Sequence, residues 1–158
     1  MGDLAAAGAH VMTVRGPVEP SAIGVTTMHD HIFWDSATWW APETFEDSAL
    51  TDQPLTVETS GLARWNALGI RDNLVMDPTD YEAQKAEVAA FTAAGGTCLV
   101  DPTCEGLIPQ PLLLRQMAIE LDLHLVAGSG IYVHHAHPPW VHTATLDDVV
   151  AFIDHQVN

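Results

Sequence analysis

Thr97-Cys98-Leu99-Val100-Asp101 is a continuous apolar run closed by an acid. A strand buried on both faces by flanking helices reads this way, whereas a half-solvated strand alternates. Residues 123–128, Leu-His-Leu-Val-Ala-Gly, make a second buried strand, and residues 25–28 a third further upstream. Between these runs the period lengthens to that of a helix. One helix is predicted over 80–94, with Ala83, Ala86, Val88, Ala90 and Phe91 available for burial and Gly95-Gly96 as its stop. Another is predicted over 111–121, with Leu112, Leu113, Met117 and Leu121 facing inward. The last covers 145–157, with Thr145 as its cap and Leu146, Val149, Val150, Phe152 and Ile153 as its apolar face. A shorter helical stretch over 57–66 puts Val57, Leu62 and Trp65 loosely on one side, and 34–54 reads as a long loop. The order strand, loop and helix, strand, helix, strand, helix predicts an α/β fold with a parallel sheet and right-handed crossovers.

Composition narrows the function classes. The chain has 158 residues, 47% of them hydrophobic, enough for one domain with a core. Its 21 acids against 5 bases give a formal net charge of -16. Phosphate neutralisation needs Lys and Arg, so nucleic acid and anionic membrane surfaces are excluded as partners. No apolar run approaches the ~18 residues of a membrane span. Cys98 and Cys104 are the two cysteines, too few for a secreted disulfide scaffold, and predict free thiols in a reducing cytoplasm. Residues 1–11 lack a basic region and are expected to form a disordered leader, with the domain over 12–158.

Polar residues gather just after each strand: His29 and His31, then Asp101 to Glu105, then Ser129 to His137. In barrels and open sheets alike, sites form at that edge. His29 and His31 are two apart at a strand end, so they share a face, and Asp30 points away. Two neutral imidazoles on one face suit a borderline metal such as zinc. The first strand is not followed by a phosphate-binding glycine pattern, which favours a barrel-type site over a dinucleotide fold.

With these residues in view, the chain resembles the phosphotriesterase family of the amidohydrolase superfamily. Four segments carry the likeness: T-V-R-G-P at 13–17, G-V-T-T-M-H-D-H at 24–31, A-A-G-G-T-C-L-V-D-P-T at 93–103, and L-V-A-G-S-G-I-Y with A-H-P-P-W-V after it, within 125–141. R-D-N-L-V-M-D at 71–77 resembles the stretch before the family's second strand. Asp30 stands where the family more often has Glu. The resemblance implies a (β/α)8 TIM barrel with a two-metal centre, whose bridging hydroxide attacks an ester, lactone or phosphotriester. It implies His29 and His31 as metal ligands and Tyr132 as a substrate-pocket aromatic. The cofactor it implies is zinc or another divalent metal. The family's bridging lysine lies on the fourth strand, and its later ligands on the fifth, sixth and eighth. Lys85, the chain's only lysine, falls on a helix of the first crossover.

The expectation is therefore an N-terminal portion, about three βα units, of a TIM-barrel metal-dependent hydrolase. The alternative is a catalytically inactive truncated barrel or a metal-binding or interaction fragment, with self-association through the exposed barrel edge. Several residues carry two readings. His134, His135 and His137 are first a solvated loop and second a metal-binding cluster. Asp101 is first a residue that holds a neighbouring loop and second a catalytic group. Trp34, Trp39 and Trp40 either line a pocket or cover packed elements. Cys104 lacks the rest of a nucleophilic triad.

Overall fold

The structure is a computed structural model and describes residues 8–46 and 48–157. Residues 1–7 of the expected leader, and Asp47 in the long loop, lie outside the described residues. The sheet that organises the chain has three strands. β3 (Thr26–Thr27), β6 (Cys98–Asp101) and β7 (His124–Ala127) lie in the order β3-β6-β7, all parallel. Cys98 sits opposite Thr26 on one side and His124 on the other, and Asp101 opposite Ala127. The opening pentapeptide is thus the central strand, which is why it carries no polar alternation. Past the strand ends, Glu105 bridges Ile131 in the same parallel sense.

Two hairpin-like pairs stand outside this sheet. β1 (Val11–Thr13) and β2 (Gly16–Val18) pair antiparallel through a tight turn, with Gly16 at φ 112°. Gly16-Pro17 therefore opens a second strand. β4 (Trp34–Asp35) pairs antiparallel with β5 (Val75–Met76). The long loop between them is a series of short 3-10 turns tied by its backbone. Ser36 N–H donates to the Leu74 carbonyl at 2.9 Å, Ala41 N–H to Leu68 at 2.9 Å, and Arg71 N–H to Thr51 at 3.0 Å.

The helices are α1 (Ser60–Trp65), α2 (Tyr81–Ala93), α3 (Pro111–Glu120) and α4 (Leu146–Val157). Asp77 caps the entry to α2 by accepting from Thr79 N–H. Thr145 and Asp148 cap α4 reciprocally, with N–H to side-chain distances of 2.8 and 3.2 Å. The main core lies where α2 and α3 cover the sheet, joining Ile32, Phe33, Val88, Leu99, Leu114, Met117, Ala118, Leu123 and Leu125.

Several faces differ from expectation. In α2, Val88 is buried, but Ala83, Ala86 and Ala90 are exposed. Tyr81 and Phe91 pack inward beside Val88, because larger side chains reach the core where alanine does not. In α3, Leu112 is 80% exposed and Leu114 takes the core position. In α1, Ala63 is buried while Trp65 is 89% exposed. In α4, Leu146 and Val150 are exposed, and Val149, Phe152 and Ile153 are half-buried. Among the described residues, no helix is long and apolar enough to cross a membrane. Cys98 and Cys104 are free thiols, as expected, and burial raises the pKa of both.

Candidate metal-ligand site at the end of the first parallel strand

β3 ends at Thr27, and the chain then turns along the end of β6. Asp30 N–H donates to the Val100 carbonyl at 3.1 Å, and Ile32 N–H to Asp101 Oδ2 at 3.2 Å. These bonds hold the His-Asp-His segment against the central strand. Asp30 turns back to accept from the Thr27 hydroxyl, away from the imidazoles. The rings of His29 and His31 meet edge to face, 5.3 Å apart. Sequence alternation is realised here: the two histidines come together and the acid between them does not.

His31 is held on every side. Its ring stacks on Trp34, with centroids 4.6 Å apart and planes 16° off parallel. Its Nδ1 lies 2.8 Å from Thr103 Oγ1. Thr103 in turn donates both its hydroxyl and its N–H to Asp101 Oδ1. The threonine proton is committed to the carboxylate, so Thr103 can only accept from His31. That places the imidazole proton on Nδ1 and leaves the Nε2 lone pair free. Ligating histidines are oriented by second hydrogen bonds of this kind. Burial lowers the His31 pKa; the nearby His29 lowers it further, while Asp101 and Asp30 oppose the shift. A neutral ring with a fixed tautomer and a free Nε2 fits a borderline divalent metal. His29, exposed beside it, offers the second imidazole.

The same shift sets a pH dependence. A folded-state pKa below the ordinary 6.5 means that the unfolded chain binds this proton more readily. The stability contributed by neutral His31 is therefore complete above that value and is lost as pH falls through the lower, folded-state pKa. Chemical denaturation at pH 7.5 and 5.5 should show a larger acid loss for the native chain than for His31→Gln. Equal losses would mean that His31 is not desolvated.

Asp101 takes the structural role favoured from sequence. It is 1% exposed and accepts from Ile32 and Thr103, so it joins the turns that follow two strands. Thr103 was not singled out by sequence reasoning. The signal was present in Asp-Pro-Thr, where Pro102 ends the buried strand and folds the threonine back on the acid. The tryptophans divide. Trp34 backs His31, Trp40 Nε1 donates to the Gly69 carbonyl at 3.2 Å, and Trp39 Nε1 donates to Tyr132 Oη at 3.3 Å. Tyr132 is half-buried and is brought to Trp39; the stack on His31 belongs to Trp34.

After β7 the loop forms two 3-10 turns, His134–Ala136 and Pro139–Thr143. His134, His137 and His142 each present a ring nitrogen, all within 4.8 Å of one another. His135 turns aside onto Trp39, with ring centroids 4.3 Å apart. The sequence reading grouped His134, His135 and His137; the fold replaces His135 by His142. A cavity of about 620 Å³ lies between β1, α3, β7 and the end of α4. Thr103, Arg115 and His155 reach it, whereas His29, His31 and Tyr132 do not line it.

Comparison with known proteins identifies the family of the chain. The family model described as "Phosphotriesterase family" matches residues 9–157. The N-acetyltaurine hydrolase of Homo sapiens is 32% identical over 127 residues, 80% of this chain and 36% of that protein. The N-acetyltaurine hydrolase of Xenopus tropicalis is 26% identical over 147 residues, 93% of this chain and 42% of that protein. The crystal structure of a resiniferatoxin-binding protein from Rhodobacter sphaeroides superimposes with a TM-score of 0.83 at 32% identity, covering 90% of this chain and 39% of that one. The chain thus spans well under half the length of each of these relatives.

Proposed function

The chain belongs to the phosphotriesterase family, and on that ground we propose that it supplies the first metal ligands, His29 and His31, of a metal-dependent hydrolase. In this reading its three parallel strands are the first βα units of a (β/α)8 barrel, and the bond cleaved is an ester, lactone or phosphotriester bond. One observation carries the proposal: the Asp101–Thr103–His31 relay, which presents a neutral imidazole with a free Nε2 beside His29 at the carboxyl end of the first parallel strand. Zinc or a similar divalent ion, when bound, lowers the pKa of a bound water and polarises the electrophile. The protein's own part is to hold two rings in one orientation, to keep His31 uncharged, and to shield it behind Trp34. Tyr132, half-buried and hydrogen-bonded by Trp39, is assigned to the substrate side of the same edge.

Zinc titration followed by imidazole nitrogen NMR tests this. His31 is expected to be protonated on Nδ1 before zinc is added, and the His29 and His31 resonances should move together on binding. Thr103→Val should weaken that binding by about 10–100-fold, the usual cost of losing a ligand's supporting hydrogen bond. Resonances of both histidines that ignore zinc would refute the assignment.

A second reading, a non-catalytic product, has its own support. Lys85 lies 2.9 Å from Glu82 and 3.0 Å from Glu120, across the helices α2 and α3 and away from the histidine pair. It is the only lysine among the 158 residues, and its ion pairs hold it between α2 and α3. Exposed Leu112, Leu146, Met28 and Val25 support self-association through apolar surface. Turnover of a lactone or phosphotriester by the 158-residue chain with stoichiometric zinc would eliminate this reading; zinc binding without turnover would favour it.

A further inference from the structure

We propose that His134, His137 and His142 form a second metal site, separate from the pair at the end of β3, which takes one borderline divalent transition metal with water in the fourth position. The ring nitrogens of the three residues lie within 4.8 Å of one another. The centre of a triangle with sides of that length is about 2.8 Å from each corner, against Zn–N distances of ~2.0–2.1 Å, so small side-chain rotations close the site. The rings already surround a common point, with centroid separations of 5.3, 5.6 and 6.0 Å.

The backbone explains why three imidazoles converge in a loop. His134 and His137 are three apart across a 3-10 turn, where side chains at that spacing eclipse. Pro138 fixes the chain between the turns and Pro139 opens the second turn, which carries His142 back over the first. Both turns are braced from outside. A Cβ at Gly106 would lie 2.8 Å from the Ala136 carbonyl, so the first turn rests directly on that glycine. The Trp140 ring packs on Phe152 of α4 at 4.9 Å, which holds the second turn. His137 Nε2 lies 3.0 Å from the Tyr132 carbonyl, and donating there leaves the Nδ1 lone pair for a cation. A ligating histidine with its other nitrogen on a backbone carbonyl has the support such ligands usually have.

The donor set selects the ion class. Three imidazoles and no carboxylate suit zinc, cobalt, nickel or copper, and not calcium or magnesium, which require oxygen ligands. A net charge of -16 draws cations to the surface in general, but this arrangement offers three nitrogen donors to a single ion. Bound metal would pin the two turns together beside Tyr132.

The test uses calorimetric zinc titration and cobalt absorption spectra on the 158-residue chain. The double variant His29→Ala/His31→Ala removes the family pair and is expected to retain one zinc equivalent and a low-symmetry cobalt spectrum. Adding His142→Ala to that background should weaken zinc at least ~10-fold and collapse the cobalt bands. Adding His134→Ala should do the same, and because both side chains are exposed, circular dichroism should show an unaltered fold. His135→Ala should change nothing. Unchanged affinity after loss of His142 or His134 would overturn the proposal, as would loss of all binding in the double variant. The second outcome leaves the His29/His31 assignment standing, so the two proposals fail separately.

Discussion

Phe33→Ala is expected to cost about 3–5 kcal/mol of folding stability, the usual range for truncating a buried phenylalanine. Phe33 is 1% exposed and belongs to the cluster that includes Leu99, Met117 and Leu125. Its ring lies nearly parallel to that of Tyr81, with centroids 6.0 Å apart. Tyr81 cannot follow the ring inward without losing its own partner, because its hydroxyl donates to Glu120 at 3.1 Å. Burial, with the adjacent Glu120, holds that phenol protonated by pushing its pKa up to about 12. The cavity left by alanine would therefore stay largely open, and the cost should fall toward the upper end of the range. Because Phe33 follows the histidine pair by two residues, the same change loosens the segment that presents His31. Urea denaturation measures the loss. A value below ~1 kcal/mol would mean that the core between β6 and α2 collapses to fill the space.

Phe33 also shows where a single sequence stops being legible. The strands at 97–101 and 123–128 were readable because burial on both faces leaves an unmistakable apolar run. The α/β order followed from them, as did the placing of polar residues after strand ends. The helix faces were less readable. Alanine is compatible with either side of a helix, so Ala83, Ala86 and Ala90 carried no real information, and the inward face was decided by where Tyr81, Val88 and Phe91 reach the sheet. Leu112 and Leu146 are apolar and exposed, which no local pattern announces, since exposure depends on which neighbours are present. The long loop was unreadable for a different reason. Its order comes from bonds between distant turns, such as those that the Ser36 N–H and hydroxyl both make to the Leu74 carbonyl, and pairings this far apart leave no local pattern in the sequence.

The site divides in the same way. His29 and His31 were visible through strand alternation, a local rule. Thr103 and Trp34 act on His31 from 72 residues downstream and from the next turn, and only the fold brings the threonine there. In the second loop, His142 displaced His135 because Pro138 and Pro139 set the path of the chain into the second 3-10 turn. Counting histidines along the sequence cannot reveal that reversal.

The largest expected effect at the site itself belongs to Asp101→Ala, which should lower stability by about 3 kcal/mol and change the tautomer of His31. Asp101 is almost fully buried and accepts from Ile32 N–H, Thr103 N–H and the Thr103 hydroxyl. Alanine leaves the two backbone donors unpaired in a site that water cannot readily reach, and each such group costs about 1–3 kcal/mol. Asp101→Asn should cost less, because one carbonyl oxygen can still accept from Thr103 while the amide nitrogen faces the Ile32 donor. The consequence for His31 follows from proton accounting. Without the carboxylate, the Thr103 hydroxyl is free to donate to His31 Nδ1 across their 2.8 Å contact. The imidazole proton then moves to Nε2, the nitrogen otherwise left with a lone pair for a metal. Imidazole nitrogen NMR of the folded variant should show this switch, and zinc should bind the His29/His31 pair more weakly even where the fold survives. A folded Asp101→Ala chain whose His31 remains protonated on Nδ1 would mean that Thr103 orients the ring without the acid behind it.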